Sequence, residues 1–166
     1  MKVGVFADTH LNLLRERNSF LRQTRRLFSN LDAVLHAGDI GDYEWFAEEI
    51  FPGIPIWSVA GNCDLIGDLP QAFDRRILEI DHWRIGLVHG WGPADGLVDR
   101  LARSFDQVQA VIFGHSHQPH LELRDGVIFF NPGSTTEPRQ CAPTAGLLNI
   151  YPNHLIFKHI TYSMAG

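Results

Sequence analysis

Six short apolar runs recur along the chain, and each ends in polar side chains able to donate, accept or ligate. They are "KVGVFADTH" (2–10), "DAVLHAGDIGD" (32–42), "IPIWSVAGNCD" (54–64), "RIGLVHGWG" (84–92), "AVIFGHSH" (110–117) and "VIFFNPGST" (127–135). Runs this short, rich in β-branched residues, read as strands buried on both faces. Helical spacing lies between them. "LRERNSFLRQTRRLFSNL" (14–31) sets Leu14, Phe20, Leu21, Leu27 and Phe28 near one face, with arginines elsewhere. "YEWFAEEIF" (43–51) and "DGLVDRLARSF" (95–105) read as shorter helices, with Trp45, Phe46 and Ile50, then Leu97, Leu101 and Phe105, as core contacts. The rest is mainly β: "RRILEIDHW" (75–83), "LELRDG" (121–126), "GLLNIYP" (146–152) and "HLIFKHI" (154–160), with "RDG" and "YPN" as hairpin turns. The order β-α-β-α-β, followed by mostly β with one helix, predicts α/β layers and a sheet of mixed strand directions.

No linker, repeat or low-complexity segment interrupts this pattern, so residues 1–166 are expected to form a single domain. A chain this long buries about 70% of the surface that its unfolded form exposes, and it needs no covalent staples. The net charge of −5 argues against non-specific nucleic-acid binding, which relies on basic surface. It leaves room for a small anionic substrate, because a local cation overrides the global sign. "MKVGVFADTHL" reaches Asp8 without the apolar core of a signal peptide, and no apolar run is long enough to span a membrane. A cytoplasmic protein with Cys63 and Cys141 as reduced thiols is expected. A homo-oligomer is compatible with all of this.

The chemistry collects after the carboxyl ends of the strands, where open α/β sheets bind ligands. One end offers Asp8 and His10, the next Asp39, then Asn62 with Asp64, then His89, then His115 and His117. No serine–histidine pair stands at an elbow. Carboxylate, imidazole and amide together form a metal-ligand vocabulary. Each fragment alone has an ordinary reading: "DTH" as a cap, "GNCD" as a turn, "VHG" as a core histidine. Adjacent alternate histidines in "GHSH" resist that reading, because neutral imidazoles buried there would each need a partner. Seven candidate ligands exceed what one tetrahedral ion takes. Two ions about 3.5–4 Å apart call for a bridging carboxylate. Asp39, alone at its strand end among glycines, is the expected bridge. His36 is expected to pack rather than ligate. His82, His154 and His159 lack carboxylate company, and His120, beyond Pro119, is expected to stand outside the centre.

The ordered blocks "DTH", "GDI", "GNCD", "VHG" and "GHSH", spread over residues 8–117, resemble the motifs of the calcineurin-like metallophosphoesterases. With "NPGS" (131–134), the chain is similar to the small, single-domain bacterial and archaeal phosphodiesterase branch. The resemblance implies a four-layer α/β/β/α sandwich with mixed sheets. It implies one ion on Asp8, His10, Asp39 and His117, and a second on Asp39, Asn62, His89 and His115. Mn²⁺ is the first metal expected, with Fe²⁺, Zn²⁺, Ni²⁺ or Mg²⁺ as alternatives. Asp39, Asn62 and His89 are expected to serve catalysis as well as ligation. The implied reaction is phosphodiester hydrolysis by a hydroxide bridging the two ions. The substrate would be a small phosphoester, with nucleic acid entering only as a substrate.

Many members of that family carry histidine where Cys63 stands here, so no side chain is assigned as general acid. Cys63 and Asp64 are expected just behind the ligands, with Asp64 orienting a ligand imidazole. Arg139, past the "NPGS" turn, is the candidate for binding a substrate phosphate. The alternative reading is a non-catalytic scaffold on the same fold, similar to a retromer subunit. An amidohydrolase-type barrel is excluded by length.

Overall fold

The computed structural model describes residues 1–65, 69–71 and 73–163. Ten strands and three short α-helices follow in the order β1 (Lys2–Phe6), α1 (Arg17–Leu27), β2 (Ala33–His36), α2 (Tyr43–Trp45), β3 (Ile56–Ser58), β4 (Arg75–Ile80), β5 (Trp83–Val88), α3 (Leu97–Ala102), β6 (Ala110–Ile112), β7 (Pro119–Arg124), β8 (Val127–Pro132), β9 (Thr144–Ile150) and β10 (Leu155–Thr161). A single π-helical turn, Phe46–Ile50, continues α2. Its wider winding lets Phe46, Ile50 and Phe51 all reach the core beside Phe6.

The strands divide into two five-stranded sheets, ordered β10-β9-β1-β2-β3 and β4-β5-β6-β8-β7. In the first, β1, β2 and β3 run parallel out to the β3 edge, and β9 and β10 add antiparallel strands on the other side; in the second, parallel β5, β6 and β8 are flanked by antiparallel β4 and β7. The one mixed sheet expected from strand patterning is therefore two, matching the layered sandwich that the resemblance implies. Nothing local in the sequence tells β4 to leave β3 and pair with β5.

Three apolar clusters correspond to the three interfaces of four layers. Val3, Val5, Leu35, Ile85, Leu87, Ile112, Phe130 and Leu148 fill the space between the sheets. Phe6, Phe20, Phe28, Val34, Phe46 and Tyr162 join α1 and the π turn to the outer face of the first sheet. Leu97, Leu101, Phe105, Val111 and Phe129 seat α3 on the outer face of the second. At about 25 cal/mol per Å² of apolar area removed from water, these contacts are the main term holding the layers together. The helix expected over 14–31 is trimmed to Arg17–Leu27, because Leu11–Leu14 is spent on turns that follow His10.

The parallel strands of both sheets point their carboxyl ends at one edge. All seven candidate ligands lie on the loops leaving those ends.

Candidate metal centre

The loops reach this edge by an uncommon backbone route. Asp8, His10, Asp39, His115 and His117 all have positive φ, at 51°, 38°, 56°, 70° and 57°. Non-glycine residues seldom adopt this region, and they hold it only where surrounding structure enforces it. Here the enforcement is visible. The Asp8 N–H donates to the Gly38 carbonyl (3.0 Å) and the His10 N–H to that of Asp39 (3.0 Å). The His115 N–H donates to Asp8 Oδ1 (3.1 Å).

Two groups of side chains result. Asp8, His10 and His117 form one, with His117 Nε2 at 3.6 Å from Asp8 Oδ1 and at 3.4 Å from His10 Nε2. Asp8, Asp39 and His89 form the other, with His89 Nε2 at 3.4 Å from Asp39 Oδ2 and at 3.9 Å from Asp8 Oδ1. Asn62 joins the second group: its Oδ1 lies 3.1 Å from His89 Nε2 and 3.2 Å from His115 Nδ1. His115 and His117, two residues apart in sequence, therefore face different groups. Asp39 lies between the groups, its Oδ2 3.7 Å from His10 Nε2 as well as 3.4 Å from His89 Nε2. Its Oδ1 is already occupied, accepting the Cys63 N–H at 2.7 Å. One oxygen of Asp39, rather than both, therefore faces the two groups.

Three of the four imidazoles are aimed from behind by a backbone carbonyl. His89 Nδ1 bonds the Ala37 carbonyl (2.8 Å), His117 Nδ1 that of Glu137 (2.7 Å), and His115 Nε2 that of Gly92 (2.8 Å). With those nitrogens donating, the opposite ring nitrogens are the ones turned into the centre, where loss of a proton from His89 would leave the lone pair that a metal requires.

Asp64 does not orient an imidazole, contrary to the sequence expectation. Its Oδ2 accepts the N–H groups of Asp39 (2.8 Å) and Gly61 (2.9 Å), and its Oδ1 those of Ile40 (2.8 Å) and Gly41 (3.2 Å). It ties the Asp39 loop to the Asn62 loop. Backbone carbonyls of the loops beyond the strand ends take the orienting role instead.

Further supports were not read from sequence. Ser134 Oγ donates to the Asp8 carbonyl (2.7 Å) and Thr136 Oγ1 to that of Thr9 (2.7 Å). Asn131 Nδ2 donates to the Gly114 carbonyl (2.8 Å). The "NPGS" block thus braces the loops after β1 and β6. Buried His36 packs as expected, its Nε2 2.9 Å from Thr9 Oγ1, and burial lowers its pKa to about 3. His120 lies outside the centre, bonded to Glu122 (3.0 Å). Glycines leave space where a side chain would not fit: a Cβ on Gly61 would sit 2.1 Å from Asp39 Oδ1.

The electrostatics fit a bound cation. Asp8 is fully buried, and its Oδ2 has no hydrogen-bond partner among the described residues. Burial pushes this carboxyl up to about 7, partly offset by the charge of His89. A buried carboxylate oxygen without a donor is costly unless a cation or proton answers it. Burial also works against the Asp39 anion, yet hydrogen bonding and charge from His89, with the Cys63 N–H, hold it below the usual carboxylate range. His89 is raised despite burial, through Asp39 and Asp8. His117 is lowered, mainly by burial. The exposed Cys63 thiol comes near enough to His10 and Asp39 to complete a third group. Desolvation and the carboxylates of Asp39, Asp64 and Asp8 push it up to about 11. A cleft of about 330 Å³ opens over the centre, lined by His10, Asp39, Asn62, Cys63, His115 and His117, with exposed Arg139 also on its wall.

Residues 1–152 match the family model of the calcineurin-like phosphoesterase superfamily domain. The chain belongs to that superfamily. A probable metallophosphoesterase of Methanocaldococcus jannaschii is 33% identical over 142 residues, covering 84% of this chain and 70% of the relative. A phosphodiesterase of the same organism is 27% identical over 162 residues, covering 90% of this chain and 93% of the relative. Among solved structures, Vps29 of Entamoeba histolytica complexed with zinc superposes with a TM-score of 0.67 at 20% identity, over 97% of this chain and 99% of that one. That likeness shows the fold alone. The family uses divalent metals, its named relatives support phosphoesterase activity, and the Asp/His groups above are where this chain could hold such ions. No helix among the described residues is long and apolar enough to cross a membrane.

Proposed function

We propose that the protein is a phosphodiesterase working with two divalent cations. One would be held by Asp8, His10, Asp39 and His117, the other by Asp39, Asn62, His89 and His115. The observation that carries this reading is the pair of buried carboxylates among four imidazoles, with Asp8 Oδ2 lacking a donor among the described residues. Bound cations supply Lewis acidity: they lower the pKa of water and neutralise phosphoryl oxygens. Oxygen and nitrogen donors accept several first-row metals, with Mn²⁺ the first to test.

The protein's own contribution is preorganisation. Carbonyls of Ala37, Glu137 and Gly92 hold three rings in one tautomer each. The Cys63 N–H turns Asp39 so that Oδ2 faces both groups. Arg139, on the cleft wall, is placed to pair with a non-bridging phosphate oxygen. The Cys63 thiol stays protonated at neutral pH, but it is a poor proton donor to an alkoxide, so no side chain is assigned to protonate the leaving group. A diester is preferred to a monoester on this ground, and the name of the Methanocaldococcus phosphodiesterase points the same way.

A scaffold on this fold would need none of the seven side chains to face one another. The test is hydrolysis of an aryl phosphodiester by purified protein given Mn²⁺, together with calorimetric metal titration. Activity that chelation abolishes, two binding events per chain, and a loss of several orders of magnitude in Asp39→Asn and His89→Ala support the proposal. Metal-loaded protein inert toward a broad diester and monoester panel refutes it in favour of the scaffold.

A further inference from the structure

A second cavity, of about 480 Å³, adjoins the centre and shares Asn62 and His89 with it. Its other walls are Ala60, Gly61, Asp74, Arg75, Val88, Gly90 and Trp91. Trp91 sets this cavity apart. The chain has four tryptophans. Trp45 lies under the Arg17 guanidinium and against Phe20, Trp57 packs on the core between the sheets, and Trp83 donates its indole N–H to the Tyr151 carbonyl. Trp91 is 47% exposed, and no aromatic ring or cation stacks on it among the described residues.

Exposure of so large an apolar side chain usually goes with a mobile loop. This loop is clamped. Arg100 donates through Nε to the Trp91 carbonyl (3.1 Å), through Nη1 to that of Asp95 (3.0 Å) and through Nη2 to that of Pro93. His115 Nε2 bonds the carbonyl between them, on Gly92. Gly90 and Gly92 take the positive φ values, 105° and 76°, that let the chain turn sharply here. An aromatic platform held this way loses little conformational freedom when a ligand covers it.

We infer that this cavity is a nucleoside subsite, in which Trp91 stacks on the base of a nucleotidyl phosphodiester whose phosphate lies at the centre. The inference rests on the phosphodiesterase reading above. A purely aliphatic arm would gain nothing from a cavity that pairs an exposed indole with the Asp74 carboxylate. A nucleoside uses both: a planar π face for Trp91 and hydroxyl or amino donors for the Asp74 carboxylate, while the Arg75 guanidinium is engaged by the Ser104 carbonyl (2.9 Å). Base–aromatic stacking tolerates every base, so the subsite selects a class of substrate rather than a sequence. The size is within the range of small-ligand pockets.

The experiment compares two substrates with the same leaving group, thymidine 5′-(4-nitrophenyl phosphate) and methyl 4-nitrophenyl phosphate, on Mn²⁺-loaded wild type, Trp91→Ala and Trp91→Phe. The ratio of kcat/KM for the thymidine substrate over the methyl one is expected to fall about tenfold or more in Trp91→Ala and to recover largely in Trp91→Phe. In parallel, thymidine monophosphate should quench the wild-type tryptophan fluorescence at concentrations where inorganic phosphate and ribose 5-phosphate do not. Trp91→Phe should lose that signal. A ratio unchanged within twofold in Trp91→Ala, while both substrates are still hydrolysed, overturns the subsite and leaves the phosphodiesterase reading standing. If neither substrate is hydrolysed, the phosphodiesterase reading fails, and the fluorescence titration alone decides: a selective quench that Trp91→Phe abolishes keeps a nucleotide site, and no quench overturns it.

Discussion

Replacing Asp64 by Asn tests how the centre is built. The carboxylate accepts four backbone N–H groups, two on each oxygen. An amide keeps one oxygen and turns an NH₂ toward the other two donors. If it keeps the Oδ1 side, the N–H groups of Asp39 and Gly61 lose their acceptor. Hydrogen bonds to a charged group contribute about 1.5–3 kcal/mol each. Asp64 is half-buried, so the lower figure applies, and the pair amounts to ~3 kcal/mol. For a chain of this size that lowers Tm by roughly 6–12 °C. The measurement is urea or thermal unfolding of metal-free protein, followed by calorimetric titration with Mn²⁺. Stability should fall before any metal is added, and affinity should fall as well, because the Asp39 loop loses its tether. Had Asp64 instead oriented an imidazole, the metal-free protein would be nearly unchanged. An unaltered unfolding midpoint in metal-free Asp64→Asn would therefore refute the tether.

Further expectations concern neighbouring positions. His120→Ala should leave metal stoichiometry untouched, while His115→Ala and His117→Ala should each lose one equivalent by calorimetry; retention in either of the latter would remove that residue from the centre. Gly61→Ala places a Cβ 2.1 Å from Asp39 Oδ1 and 2.4 Å from its backbone N, so it should weaken metal affinity by about tenfold or more with little loss of helical signal. His36 is fully buried with its pKa lowered to about 3, against about 6.5 unfolded. Its folded form resists a proton that the unfolded chain accepts, so its contribution is complete above about pH 6.5 and is lost as pH falls toward 3. His36→Gln, which keeps a polar group toward Thr9, should shift the acid-unfolding midpoint to lower pH; an unchanged midpoint would count against this.

Much of the architecture is legible in the sequence, and for a physical reason. Strands buried on both faces must be short and apolar, and their ends must be polar. Asp8, His10, Asp39, Asn62, His89, His115 and His117 could therefore be placed together before any coordinates, and the structure brings their side chains within a few ångströms of one another. What stayed hidden is carried by the backbone. Ala37, Gly92 and Glu137 act through carbonyls, which every residue has, so no side-chain pattern marks them. Asp64 sits at a suggestive place, but three of its four partners are N–H groups brought in from another loop. The positive φ values at five candidate ligands had a faint trace, since Asp and His tolerate that region better than most residues. The π turn at Phe46–Ile50 left none, because its extra residue is set by how Phe46, Ile50 and Phe51 pack on Phe6.

The placement of β1 has a consequence in time. It is made well before β9, yet it lies in the middle of its sheet, between β2 and β9. Asp8 and His10 hang from its end, and the Asp8 carbonyl waits for a hydroxyl 126 residues further on. At about 5–20 residues per second, the stretch from β1 to β9 takes several seconds to many seconds to appear. Throughout that interval β1 offers an open edge where β9 will pair, and the loop that carries Asp8 and His10 gains its Ser134 brace only once the turn after β8 has been made.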